Sequence, residues 1–356
     1  MDSTPLTPAE VFPVGEYLRD ELEARGWNET EFAQILGRPA QAVSEIINGK
    51  KEITAETAVA IADALGTSAE LWLGLQTDYR LRQVRAGRPV VNPITRLAAL
   101  RASVPLRELR RRGWISSTND PDTLEREVSM LLAPLTDHAF RAAARRSNTA
   151  HPFTPEQNAW IARIMRRAAD VAAIADFDQL ALAALAERLP RMLTGPDQLP
   201  VAAKELARCG VVLVVEPQLA GSKLDGVALV MGDGRHVVAL TTRGDRFDGF
   251  LFTLLHELAH IVLGHLDATG WQIDDAIDDS PTEIGRSADA QAAGWIFPHG
   301  FVAPRPPVTM TTIHELAREH GVHPSVVVGR LHRDEVLEWS QFRRSIPKVR
   351  AALGIS

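Results

Sequence analysis

Apolar residues recur at helical spacing through most of the chain, and the pattern changes period once. Val14, Leu18 and Leu22 fall on one stripe over 14–25, and Gly26 follows as a stop. Shorter periodic stretches predict helices over 29–36, closed by Gly37, and over 40–48, closed by Gly49, with Arg38-Pro39 as a tight turn between them. Thr54 caps a fourth helix over 55–65, which Gly66 ends, and Ser68 caps a fifth running through Leu71, Trp72, Leu75 and Tyr79. Gly87, Pro89, Asn92 and Pro93 mark a linker near 86–94. Further helices are predicted over 122–132, over 135–146, from the capping box at Thr154-Pro155-Glu156-Gln157 to Ile174, and over 178–193. After Gly195-Pro196 and a short helix near 200–208, the texture turns β-branched over 211–215, 226–231 and 236–241. The last two runs flank Gly232-Asp233-Gly234 and read as a hairpin. A strongly apolar helical run over 247–265 comes next.

This order predicts a mainly α chain with a small α+β C-terminal half. The expected parts are a five-helix domain over 1–86, a helical spacer over 87–194, a domain with a small β-sheet over 195–300, and a helical tail over 301–356 packed on it. Two short helices joined by a tight turn inside a five-helix unit are the layout of a helix-turn-helix DNA reader. Its second helix would present Gln41, Ala42, Ser44, Glu45 and Asn48 outward. Gln and Asn suit adenine edges, and Ser suits a base or a phosphate. Lys50 and Lys51 follow and suit phosphates. Spacing alone weighs a small helical bundle with a polar face equally.

The stretch from Phe32 to Leu81 resembles the HigA-type branch of the Xre family of helix-turn-helix regulators. The matching residues are Ala33, Leu36, the run Val43-Ser44-Glu45-Ile46-Ile47-Asn48-Gly49, Ile53-Thr54, Leu65-Gly66-Thr67-Ser68, Trp72 and Leu75. The resemblance covers about 10–85 and implies a DNA-binding antitoxin or autorepressor, a homodimer on a palindromic double-stranded operator, with a cognate toxin as a further partner. Asn28-Glu29 stands where the family often has Ser-Gln.

Net charge tempers the DNA reading. The whole chain carries −6, and residues 1–85 hold 8 Lys and Arg against 14 Asp and Glu, so non-specific phosphate binding should be weak. The arginines crowded over 80–112, where Glu108 is the one acidic residue, read first as a solvated linker and helix face. Cys209 is the only cysteine, which excludes an intrachain disulfide and favours a reducing compartment. With no apolar run near the ~20 residues of a membrane span and no signal-like start, the chain is expected to be cytoplasmic.

The candidate chemistry lies in the apolar helix. His256 and His260 are four apart and share one face, so they can grip one metal ion, and Glu257 between them can deprotonate a metal-activated water. The plain alternative is a pair of satisfied core histidines. Phe252-Thr253-x-x-His256-Glu257-x-x-His260, following a strand and a hairpin, resembles the ImmA/IrrE metallopeptidases. So do Ala288-Asp289-x-x-Ala292-x-x-x-Trp295-Ile296-Phe297-Pro298 and the tail motifs at Ile313-x-x-Leu316-Ala317 and Gly321–Leu331.

The resemblance implies a zinc peptidase acting on a protein substrate. His256 and His260 would be ligands, Glu257 the general base, and Asp289 the acid that supports a histidine. The family's third ligand, a glutamate, aligns with Gly285, which carries no donor side chain. Substitutes in order are Asp289, one helical turn on; Glu283, which also fits a capping box opened by Ser280; and Asp274, Asp275, Asp278 or Asp279 in the preceding loop. A site without metal is the remaining alternative. His265 and His299 read as structural or surface histidines.

Overall fold

A computed structural model describes residues 12–86, 93–136, 153–171, 174–266, 271–275 and 283–355. The chain divides into two compact units, Met1–Thr95 and Arg96–Ser356. The predicted helix over 135–146 lies almost wholly outside the described residues, where 133–136 form a single 3₁₀ turn.

The first unit holds α1 (Val14–Arg25), α2 (Glu29–Ile35), α3 (Ala40–Ile47), α4 (Ala55–Leu65) and α5 (Ala69–Ala86). Local chemistry sets their ends. Asn28 caps α2 in a capping box with Glu31, accepting from the Thr30 and Glu31 amides and leaving its own amide to the Glu31 carboxylate. Thr54 caps α4, and left-handed Gly26 and Gly66 end α1 and α4. Val14, Leu18, Leu22, Phe32, Val43, Ile46, Ile47, Ile61 and Trp72 close one core. At Gly15 a Cβ would lie 2.1 Å from the Ile47 carbonyl oxygen, so glycine lets α1 press onto the end of α3.

The second unit is built on a four-stranded sheet. Its strands are β1 (Val211–Val215), β2 (Leu224–Val230), β3 (His236–Leu240) and β4 (Trp271–Asp275), in the order β1-β3-β2-β4. The β2–β3 hairpin is antiparallel, β1 runs parallel to β3, and β4 adds antiparallel to β2. Both faces are covered, which is why the strands read as continuous apolar runs rather than alternating ones. Val212, Val214, Val227, Leu229, Val237 and Ala239 face one core. That core is completed by α6 (Pro93–Ser103), α7 (Leu106–Arg111), α8 (Pro121–Leu132) and α9 (Pro155–Ala169).

Residues expected as a spacer thus supply one side of the sheet's packing. Trp160 is fully buried there and gives its indole N–H to the Glu216 carbonyl. Burying a side chain of that size contributes about 2–3 kcal/mol or more. Several arginines expected as solvated have partners. Arg96 bridges Asp122 and Glu125, and Arg112 reaches the Pro217 and Gln218 carbonyls. Helix α9 stops at Ala169, short of the expected Ile174. The Arg235 guanidinium, from the hairpin turn, binds the carbonyls of Ala168, Ala169 and Val171 there.

On the opposite face lie α10 (Gln179–Met192), α11 (Leu199–Arg208), α12 (Phe247–Val262), α13 (Glu283–Ile296), α14 (Met310–His320) and α15 (Pro324–Arg333). The C-terminal tail is fastened to the start of α12. The Phe247 amide donates to Pro347, and Asp245 accepts from the amides of Val349 and Arg350. Among the described residues, no helix is long and apolar enough to cross a membrane.

Candidate metal centre and DNA-reading face

Helix α12 is apolar on nearly every side because it lies between the sheet and α13, α15 and α10. Its three polar motif residues are therefore buried: His256 is 8% exposed, Glu257 and His260 not at all. Buried imidazoles need partners, and both have them. The His256 Nδ1 lies 2.9 Å from Asp289 Oδ1 on α13, and the other Asp289 oxygen takes a 2.6 Å hydrogen bond from Arg333 Nη2 on α15. The His260 Nδ1 lies 2.8 Å from His265 Nδ1, whose Nε2 is 3.3 Å from the Ser287 hydroxyl.

One assignment of the ring protons satisfies the contacts with Asp289, His265 and Ser287. With Asp289 accepting from Nδ1, His256 keeps its lone pair on Nε2. A relay from His260 through His265 to Ser287 does the same for His260. The two Nε2 atoms then face one another at 3.0 Å. Two lone pairs at that distance repel unless a cation sits between them, so the pair suits a shared metal ion.

Glu257 passes beneath β2. A Cβ at Gly226 would lie 2.4 Å from its Oε1, so the strand must carry glycine where the carboxylate crosses it.

The open question of the third donor narrows. Asp289 stands on the Nδ1 side of His256, away from the Nε2 pair, with both oxygens engaged. Burial alone would raise its carboxyl, but the hydrogen bonds from His256 and Arg333 outweigh that and hold it below the usual range. The first-ranked substitute ligand therefore sits where a supporting carboxylate belongs. Glu283 is exposed at the start of α13, and its proposed capping partner, Ser280, lies outside the described residues. Asp274 and Asp275 are on β4, paired with Gly226 and Leu224, while Asp278 and Asp279 lie outside the described residues. Gly285 is buried on α13. Among the described residues, no three His, Cys, Asp or Glu side chains converge on one point. The residues present thus fit two donors and a base. His299 is exposed beyond the end of α13.

Periodicity and spacing assign no role to Gly226 or Arg333 and read His265 only as a structural or surface residue. His265 has a local signal, five residues after His260, where its amide also closes the helix on the His260 carbonyl at 2.9 Å. Gly226 and Arg333 have none, since their roles arise from packing across the fold.

In the first unit, Gln41, Asn48, Lys50 and Lys51 are exposed on and just beyond α3, and Ala42, Ser44 and Glu45 are half-buried beside them. All lie away from the core face formed by Val43, Ile46 and Ile47. Gln41 donates to Glu45 at 3.0 Å, and Asn48 donates to the Ser44 carbonyl at 2.8 Å.

Comparison with known proteins matches both units. Residues 18–72 fit the helix-turn-helix family and residues 211–332 the IrrE N-terminal-like domain. Virulence-associated protein A' of Dichelobacter nodosus is 42% identical over 71 residues, which are 20% of this chain and 62% of that protein. The chain thus spans under two thirds of that relative. Virulence-associated protein I of the same organism is 31% identical over 93 residues, 26% of this chain and 86% of that protein. Among solved structures, the Pseudomonas aeruginosa antitoxin HigA with the higBA promoter is 31% identical. It covers 22% of this chain and 85% of its own, with a TM-score of 0.21. The chain belongs to the helix-turn-helix family, with an IrrE-like peptidase-type domain joined behind the reader.

Proposed function

We propose that this helix-turn-helix regulator reads a double-stranded operator through α3, as a homodimer in the cytoplasm, and that its second unit is a zinc-dependent protease. The protease would cut a repressor or the chain's own reader. The observation that carries the second half is the pair of Nε2 atoms on His256 and His260, 3.0 Å apart, with each Nδ1 held from behind. Zinc held by His256 and His260 would supply Lewis acidity. Glu257, buried next to His256 in the same helix, would take the proton from the attacking water and return it to the leaving amine. Asp289 and His265 keep both imidazoles in the ligating tautomer, and Arg333 keeps Asp289 in place.

Gly285 favours a second reading. With no donor side chain at that position, the second unit would bind metal weakly and act as a sensor or a surface for a cognate toxin, without hydrolysis. One experiment separates the two. The zinc-loaded chain and its Glu257→Gln form are incubated alone and with candidate repressors, and bound metal is measured by mass spectrometry. Cleavage by the wild type alone, with one zinc per chain lost in His260→Ala, supports the protease. Identical fragment patterns for both forms, with metal at trace level, supports the sensor.

A further inference from the structure

A cavity of about 590 Å³ opens beside the candidate metal centre, between α12, α13, α15 and the segment before α12. Its size falls in the range of about 300–1,000 Å³ that small-molecule sites occupy. Gly249, Phe252, Ala293, Phe297 and Val326 line apolar parts of its wall. Four guanidiniums line it as well: Arg243, Arg246, Arg330 and Arg333. Three are laid against aromatic rings. Arg246 lies 5.3 Å from the centre of Trp339, Arg330 5.8 Å from Phe297, and Arg333 4.9 Å from Phe252.

The carboxylates in the wall are already engaged. Asp248 is held by Arg246, Asp334 by Arg330, and Asp289 by His256 and Arg333. The fourth cation, Arg243, reaches Asp225 at 3.2 Å with both side chains more than 40% exposed. Four guanidiniums thus stand against three carboxylates in the lining itself, the fourth being paired with Asp225 outside it. Among the described residues, Arg333 gives the protein a single hydrogen bond, from Nη2, and Arg330 a single one, from Nε. Their remaining N–H groups are donors in the fork geometry that carboxylates match. Trp339 adds an independent sign. Its ring is 65% exposed yet clamped, stacked 5.1 Å from His332 under the Arg246 guanidinium. The exposed remainder of this fixed tryptophan offers apolar surface to a ligand in the cavity.

We propose that this cavity binds a small organic carboxylate with a flat apolar body. The aromatic part lies against Trp339 and the apolar wall, and the carboxylate takes the spare donors of Arg330 and Arg333. Arg333 also holds Asp289, which holds His256, so an occupant that draws on Arg333 touches the support of the metal pair.

Calorimetric titration of the full chain, stripped of metal by chelator, with 2-naphthoate and with neutral 2-naphthamide tests the proposal. No hydrolysis is read, so failure of the protease reading and failure of the cavity remain separate results. The expected result is one saturable 2-naphthoate site per chain, with the amide at least about tenfold weaker. Gly249→Leu fills the cavity from α12, where a new Cβ meets no atom within 4 Å. It should fold, as judged by circular dichroism, and weaken 2-naphthoate by at least about tenfold. Ala290→Leu, on the α13 wall, should do the same and is read alongside. No saturable binding up to about 5 mM, equal binding of acid and amide, or binding unchanged in both variants overturns the proposal.

Discussion

The two units place their working residues in opposite ways. The DNA-reading candidates sit on or just beyond one helix, α3, within eleven residues of chain, and their partners are next-turn neighbours such as Glu45 and Ser44. The metal-site candidates come from α12, α13, α15, β2 and the turn after α12, and are held by contacts up to 44 positions apart. A face on one helix can be altered without disturbing the fold. A site assembled from several elements depends on the packing of all of them. Substitutions should therefore separate the units cleanly, with local effects in the first and relayed ones in the second.

The largest separation should come from Gln41→Ala combined with Asn48→Ala. Base contacts of this type contribute about 1–3 kcal/mol each, so gel shifts with the chain's own upstream DNA should weaken by tens-fold or more. Bound zinc should stay at the wild-type level. An unchanged shift would remove α3 as the reading helix.

Gly226→Ala tests the second unit through a residue that bears no chemistry. The new Cβ must displace the Glu257 carboxylate or the strand, which should lower the stability of that unit by about 1–3 kcal/mol. DNA shifts should be unaffected, and any cleavage should fall together with stability. A denaturant melt equal to the wild type would show that the close approach of β2 and α12 is absent in solution.

A smaller effect is expected from Asn28→Ala, which removes the side-chain acceptor for the Thr30 and Glu31 amides, leaves the backbone half of the α2 capping box with Glu31, and should cost the first unit about 1 kcal/mol. The second unit's melt should not move. A matching drop in both units would contradict their independence.

The smallest effect is a pH dependence. Burial holds His323 below its ordinary value of 6.5, with Asp248 opposing and His314 assisting, and its Nδ1 accepts the Ser325 amide at the start of α15. The fold therefore prefers the neutral ring. Its contribution is complete above 6.5 and is lost as pH falls through the lowered folded value. The melting temperature of the second unit should decline on acidification from about 6.5, and His323→Asn, which keeps a capping side chain, should flatten that decline. An identical slope in the variant would assign the dependence elsewhere.

Legibility in the sequence follows the same division. Caps and glycine stops fixed the ends of α1–α4 to within a residue, because those signals act on their own helix. The three sheet strands before α12 were legible from β-branched runs bounded by Gly and Pro, and β4 was not, since Trp271–Asp275 carries two acidic residues and no such run. The stop of α9 was missed because a guanidinium from the distant hairpin closes it. In the site, His256, Glu257 and His260 were legible as a motif. Whether Asp289 would ligate or support was not, because spacing along α13 does not say which ring nitrogen of His256 it meets.

By itself, the sequence determined the helices of the first unit, three of the four strands, where the candidate reading helix lies, and which three residues of α12 are chemically unusual. Those follow from periodicity, capping and side-chain type, all local properties. The tertiary structure alone decided that residues 96–135 and 153–169 wall one face of the sheet and that Gly226 makes room for Glu257. It also decided that Asp289 and His265 turn two imidazoles toward each other. Each is a matter of which side chains meet across folded elements, and that depends on the packing of the sheet against its helices rather than on any one stretch of chain.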